Sequence, residues 1–262
     1  MAPDLFSTFS SVLLNISETD LNTEIERPQK LLIESGATGA RKLEIAYAPF
    51  DYVNKSAKIV IVGLTPGRQQ MRNALVEARR CLRAGMDDEA AKTAAKIFAS
   101  FSGPMRTNLV AMLDSVGVGK ALGLSSTAAL WSNEAHRVHF TSALRYPVFL
   151  DGQNYSGAPS ILTTPLLYKH LMEWFGSEMA ALPTAIFVSL GPKVTEAVEA
   201  VALHHGITAF RILSGLPHPS GANAERIAFF LGRKKPEDVS TKVNMGRLVA
   251  CRASLESKIA MW

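Results

Sequence analysis

The sequence predicts an α/β protein, a single-domain three-layer α/β/α sandwich around a central four-stranded, mainly parallel sheet. Three observations predict it. Short apolar runs rich in β-branched residues recur along the chain, as strands buried on both faces do. Longer stretches between them place apolar residues at helical spacing. The two kinds of segment alternate, and alternation of strand and helix builds a parallel sheet covered on both sides.

Taken in order, residues 1–57 supply an N-terminal helical extension of one or two helices and an irregular piece, Tyr47-Ala-Pro-Phe-Asp-Tyr52. The first apolar run lacks a basic flank and a small-residue cleavage site, so it reads as helix and not as a signal peptide. Lys58-Ile-Val-Ile-Val-Gly63 is the first buried strand. Residues 68–100 form a helical insertion, with helical patterns from Met71 to Ala84 and Asp87 to Phe98. Further helices are expected from Met105 to Val116, Pro165 to Met179 and Val194 to His204. Val138–Ser142, Ala185–Leu190 and Phe210–Leu213 are the remaining strands, and residues 244–262 close the chain with a helix. There is no internal repeat or low-complexity linker, so one domain over 1–262 is the expectation.

The 28 Lys and Arg outnumber the 23 Asp and Glu, a net charge of +5. That excess favours an anionic partner, nucleic acid above all. No apolar run is long enough to span a membrane. The two cysteines, Cys81 and Cys251, allow neither a disulfide framework nor a four-cysteine metal or cluster site. A cytoplasmic protein without metal or cofactor is expected.

Ligands of open parallel sheets gather at the loops leaving the carboxyl ends of the strands. Here those loops begin at Gly63, Ala143, Gly191 and Ser214. The first, Gly63-Leu-Thr-Pro-Gly-Arg-Gln-Gln70, presents backbone N–H groups to a close ligand; the same residues also suit a plain strand-to-helix turn. It is neither a phosphate-binding P-loop nor a dinucleotide fingerprint. The fourth, Gly215-Leu-Pro-His-Pro-Ser-Gly-Ala-Asn223, holds His218 between two prolines that fix its backbone.

Together the two loops resemble the paired motifs of the uracil-DNA glycosylase superfamily, a Gly-x-x-Pro-Gly turn after the first strand and a late His-Pro-Ser loop. Phe101-Ser-Gly103 followed by Asn108–Gly117, Thr141-Ser142 with Arg145-Tyr-Pro147, and Ser189-Leu-Gly191 extend the likeness over roughly residues 58–232. The resemblance implies base excision repair by a monomer acting on DNA that carries uracil or abasic sites. The damaged nucleotide is flipped into a pocket and its N-glycosidic bond hydrolysed.

By family position His218 hydrogen-bonds the uracil O2 and stabilises the departing anion. Phe101 stacks on the base, and Gly63, Leu64, Ser142 and Asn154 line or read it. Pro66, Gly67, Arg68, Lys193, Pro219, Ser220, Gly221 and Asn223 meet the DNA strand. The chain departs from the family where water is handled. Thr65 replaces the Asp or Asn of the most active types, and Leu64 and Gln70 fall where the iron–sulfur type carries Glu. Thr65 or Gln70 is therefore expected to hold the water, with Asp51 the nearest carboxylate outside the loops. Arg72, Arg79, Arg80 and Arg83 form either a phosphate track or the solvated face of a helix. The alternatives are excision of hypoxanthine, xanthine or other deaminated bases, and non-catalytic binding of abasic or damaged DNA.

Overall fold

The computed structural model describes residues 4–101 and 103–262; Ser102, the middle of the Phe-Ser-Gly stretch, lies outside them. The chain opens with helices α1 (Phe6–Asn15) and α2 (Glu18–Glu26), strands β1 (Leu32–Thr38), β2 (Arg41–Ala46) and β3 (Ile59–Gly63). Helices α3 (Arg68–Arg83), α4 (Asp88–Ala99), α5 (Pro104–Ser115) and α6 (Val118–Ala121) follow. Next come β4 (Val138–Ser142), β5 (Val148–Leu150), β6 (Gln153–Asn154), α7 (Pro165–His170) and α8 (Gly176–Ala181). The chain closes with β7 (Ile186–Leu190), α9 (Pro192–His204), β8 (Ile212–Leu216), α10 (Ala224–Phe230) and α11 (Met245–Ala260). A sheet of order β4-β3-β7-β8, flanked by helices, is the expected α/β sandwich; β3 runs parallel to β7, and β7 to β8. None of the helices among the described residues is long and apolar enough to cross a membrane.

Two compact units divide the chain: Met1–Lys55, Leu64–Ser100 and Phe140–Pro183 in the first, Ser56–Gly63, Phe101–His139 and Thr184–Trp262 in the second. The first holds a sheet that the sequence pattern does not predict. Residues 1–57 are not helical throughout, because β1 and β2 form an antiparallel hairpin across the two-residue turn Gly39-Ala40. Leu43 and Ile45 are buried while Lys42 and Glu44 turn outward, the period of two that a half-covered strand requires. The sheet extends through β5 to β6, joined by an Asp151-Gly152 turn with φ of 50° and 73°. An Asp-Gly pair adopts such positive φ values at little cost, and it is a strong hairpin signal. Helix α7 runs into α8 through one π turn, Leu171–Phe175.

In the second unit all five residues of β3 and of β7 are buried, as a central parallel sheet demands. Helix α9 packs on β7 and β8, and α11 on β8. The last strand lies two residues later than expected: Ala209–Arg211 make a 3₁₀ turn and β8 begins at Ile212. Gly215 sits in β8 with φ of 108°, and a Cβ there would lie 2.6 Å from the Cβ of Cys251. Only a glycine lets α11 approach this closely. Leu255 and Ile259 bury their side chains from the same helix, each contributing about 1.5–3 kcal/mol.

Candidate functional site

His218 stands just beyond β8 in the second unit. Pro217 and Pro219 are buried on either side, and the Asn108 side chain of α5 donates to the Pro219 carbonyl at 2.9 Å. The imidazole is held as firmly as the backbone. The backbone N–H of Ser220 donates to His218 Nδ1 at 3.3 Å. A backbone N–H can only donate, so Nδ1 accepts and the proton of the neutral ring resides on Nε2. Burial pushes the imidazole below its ordinary pKa, and a donor at Nδ1 opposes protonation in the same direction. The ring is thus a neutral Nε2–H donor at neutral pH.

A cavity of about 540 Å³ opens beside it, within the second unit. Its wall takes Gly191 and Thr195 from the start of α9 and His218 from the loop, with Arg226, Lys242 and Arg247 from later in the chain; no Asp or Glu lines it. No motif in the sequence points to those three cations. Asn223, expected at the DNA, lines the same cavity, where it accepts from Arg226 at 3.1 Å and donates to Ser220 Oγ at 3.4 Å. Gly221 and Lys193 are exposed. Phe101 is 6% exposed, with φ of 43°, and its carbonyl accepts from Arg106 Nε at 3.0 Å. Gly63 is the buried last residue of β3.

The rest of the first loop belongs to the first unit, and its side chains are engaged. Thr65 Oγ1 donates to the Tyr146 carbonyl at 2.9 Å and accepts from the Val148 N–H at 3.1 Å. Its one proton is committed, leaving a single lone pair. Gln70 caps α3, its Oε1 accepting from the Gly67 N–H at 3.2 Å, and Asn154 Oδ1 accepts from the Arg68 N–H at 3.0 Å. Asn154 does meet the loop, as a helix cap. The Leu64 carbonyl accepts from the Leu144 N–H at 2.9 Å, two residues past the half-buried Ser142; Pro66 is buried. The Arg68 guanidinium donates to the carbonyls of Ile25, Glu26 and Gly152 and lies 4.5 Å over the Phe149 ring.

The other arginines of α3 are each engaged within the fold, Arg80 on its solvated face. Arg79 and Arg83 donate to the Ile16 carbonyl at the end of α1, Arg72 to Asn22, and Arg80 pairs with Glu77. Asp51 is buried: Tyr47 and Tyr146 hydroxyls donate to it at 3.0 and 2.7 Å, and the Leu5 N–H at 3.2 Å. Those partners mark a structural carboxylate. The same unit holds a buried charge cluster that composition does not announce. Glu178 accepts from Arg145 Nε at 2.5 Å and stands 3.9 Å from Lys96 Nζ, which donates to the carbonyls of Phe50 and Tyr52. Among the described residues no group of three or more His, Cys, Asp or Glu comes together to hold a metal ion.

No protein-family model and no solved structure matches the chain. Among curated proteins, the uncharacterized protein YoxB of Bacillus subtilis (strain 168) is 36% identical over 197 residues, covering 74% of this chain and 77% of that protein. A likeness of that depth over that length makes this chain a member of the YoxB family.

Proposed function

We propose that the protein is a DNA glycosylase of base excision repair that hydrolyses the N-glycosidic bond of uracil. The observation that carries the reading is His218, a neutral Nε2–H donor fixed by two prolines and by the Ser220 N–H at the carboxyl end of a parallel strand. Bond cleavage leaves negative charge on the departing base, and a pre-aimed donor stabilises charge that develops in the transition state. The +5 charge and the acid-free cavity beside His218 suit a polyanionic substrate. Thr65, with one lone pair left, accepts from a water without serving as its base. The protein acts as a cytoplasmic monomer on this reading, and DNA is its partner.

The commitments of Thr65 and Gln70 favour one second reading, a non-catalytic binder of abasic or damaged DNA. Oligonucleotides containing uracil, hypoxanthine or an abasic site separate the two. Alkali-sensitive sites appearing on the uracil strand with wild-type protein, and absent with His218→Ala, are the expected result. Retarded abasic DNA with no cleavage of any base would establish the binder instead. Excision of uracil that survives His218→Ala would overturn the role given to the imidazole.

A further inference from the structure

The cavity beside His218 has a chemistry of its own. Helices α9, of 13 residues, and α11, of 16, both begin at its wall, through Gly191 and Thr195 in one and Asn244 and Arg247 in the other. The amino end of each carries roughly half a positive charge, although the Thr195 N–H is taken by the Gly191 carbonyl and the Arg247 N–H by Asn244 Oδ1, so the donors left for a ligand at this wall are chiefly the side-chain cations. Arg226, Lys242 and Arg247 add full charges to the same wall, and no carboxylate lines it to answer them. Among the described residues the Lys242 ammonium and the Arg247 guanidinium meet no acidic group, whereas nearby Glu225 is bound to Lys234 and Ser240. Arg226 is held in place, donating to Asn223 and to the Lys242 carbonyl at 3.1 and 3.3 Å. Two helix amino ends and three cations around one concavity repel one another until an anion enters. A tetrahedral oxyanion with several acceptor atoms matches such a set of donors.

We propose that this cavity is a phosphate-binding site, and that the phosphate it takes is one of a nucleic-acid strand held against the His218 loop. The proposal rests on the nucleic-acid reading above and adds a second anchor for the strand, beyond the loop itself.

Binding of a short fluorescein-labelled single strand free of uracil, followed by anisotropy across a salt series, tests it. Each strand phosphate that a cation no longer neutralises lowers the slope of log affinity against log salt by about 0.7. Lys242→Ala and Arg247→Ala are each expected to lower the slope by about that amount and to weaken binding at low salt by roughly three- to tenfold. Both side chains are exposed, so folding is not at issue. Arg247→Lys keeps the charge and should restore the slope. Lys120→Ala, which removes an equal charge from an exposed position that does not line the cavity, serves as the reference. Inorganic phosphate is titrated in parallel and followed by its phosphorus resonance. Phosphate binding that depends on Arg247, with a strand slope indifferent to it, would overturn the nucleic-acid source. Indifference in both arms would overturn the site. Uracil excision assayed on the same proteins keeps the two ideas apart: a wild type that excises nothing, yet shows a smaller slope with Arg247→Ala, defeats the glycosylase and keeps the phosphate site.

Discussion

The Ser220 N–H and the His218 Nδ1 lie 3.3 Å apart, and that hydrogen bond settles which ring nitrogen carries the proton. Because burial lowers the imidazole's pKa, the folded protein refuses a proton that the unfolded chain takes up at about pH 6.5. Stability from this group is therefore complete above 6.5 and is lost as pH falls from there through the folded value. Melting temperatures measured from pH 8 to 5 should fall more steeply below 6.5 in the wild type than in His218→Gln. The proposed uracil excision should stay level down to that same region and then decline. A decline that begins well above pH 6.5 would show that the imidazole is not held neutral.

Thr65 is expected to matter first as a brace. Its hydroxyl bridges the Tyr146 carbonyl and the Val148 N–H, so Thr65→Val strands two backbone groups in a half-buried setting. The cost should be about 1–3 kcal/mol, read as a lower denaturant midpoint. Thr65→Ser, which keeps the hydroxyl, should recover most of it. Equal midpoints for the Val and Ser variants would mean that the bridge contributes nothing.

The central sheet is legible in the sequence because β3 is a run of Ile and Val and β7 a short, mainly apolar Ile-Phe-Val-Ser-Leu stretch, as burial on both faces requires. The His218 loop is legible because two prolines and a terminal strand leave the ring little choice of place. The antiparallel sheet of the first unit is harder to see, although the Asp151-Gly152 turn between β5 and β6 and the alternation of Leu43 and Ile45 with Lys42 and Glu44 in β2 announce it. Both signals are short, and flanking polar residues such as Glu34 and Ser35 mask them. Arg226, Lys242 and Arg247 are out of reach for another reason. They come from α10, from a loop and from α11, and only the packing of α11 on β8 brings them to one wall. The burial of Asp51 cannot be read from its neighbours in the sequence, because the tyrosines that bind it lie 4 residues before it and 95 after.

Lys96 provides a pH signature of the buried cluster. Its ammonium is fully enclosed, and burial brings its pKa down to about 8, against the pull of Glu178. Between pH 8 and 10 the unfolded chain keeps a proton that the folded one has released, so stability should rise with pH across that window. Lys96→Met should flatten the rise in melting temperature. Removing the partner is harsher. Glu178→Gln leaves Arg145 buried without its counter-charge and should cost about 3–5 kcal/mol. A wild-type melting temperature that falls steadily from pH 8 to 10 would contradict the depressed ammonium.

Gly215 ties the sheet to the cavity, and its replacement should damage both. A Cβ at this position would lie 2.6 Å from Cys251 Cβ and 2.8 Å from its sulfur, on a residue whose φ is 108°. Left-handed backbone alone costs about 1–3 kcal/mol in a residue with a side chain. Gly206, with φ of 66° and nothing within 4 Å of an added Cβ, measures that part by itself. Gly215→Ala should therefore exceed Gly206→Ala by about 2 kcal/mol or more, a melting temperature lower by roughly 4–8 °C. The excess is the displacement of α11, and Cys251→Gly in the Gly215→Ala background should recover part of it. Because α11 carries Arg247 to the cavity wall, the proposed phosphate site requires the same variant to bind single-stranded DNA more weakly as well. If Gly215→Ala were no worse than Gly206→Ala, the close approach of α11 to β8 would not be what positions that arginine.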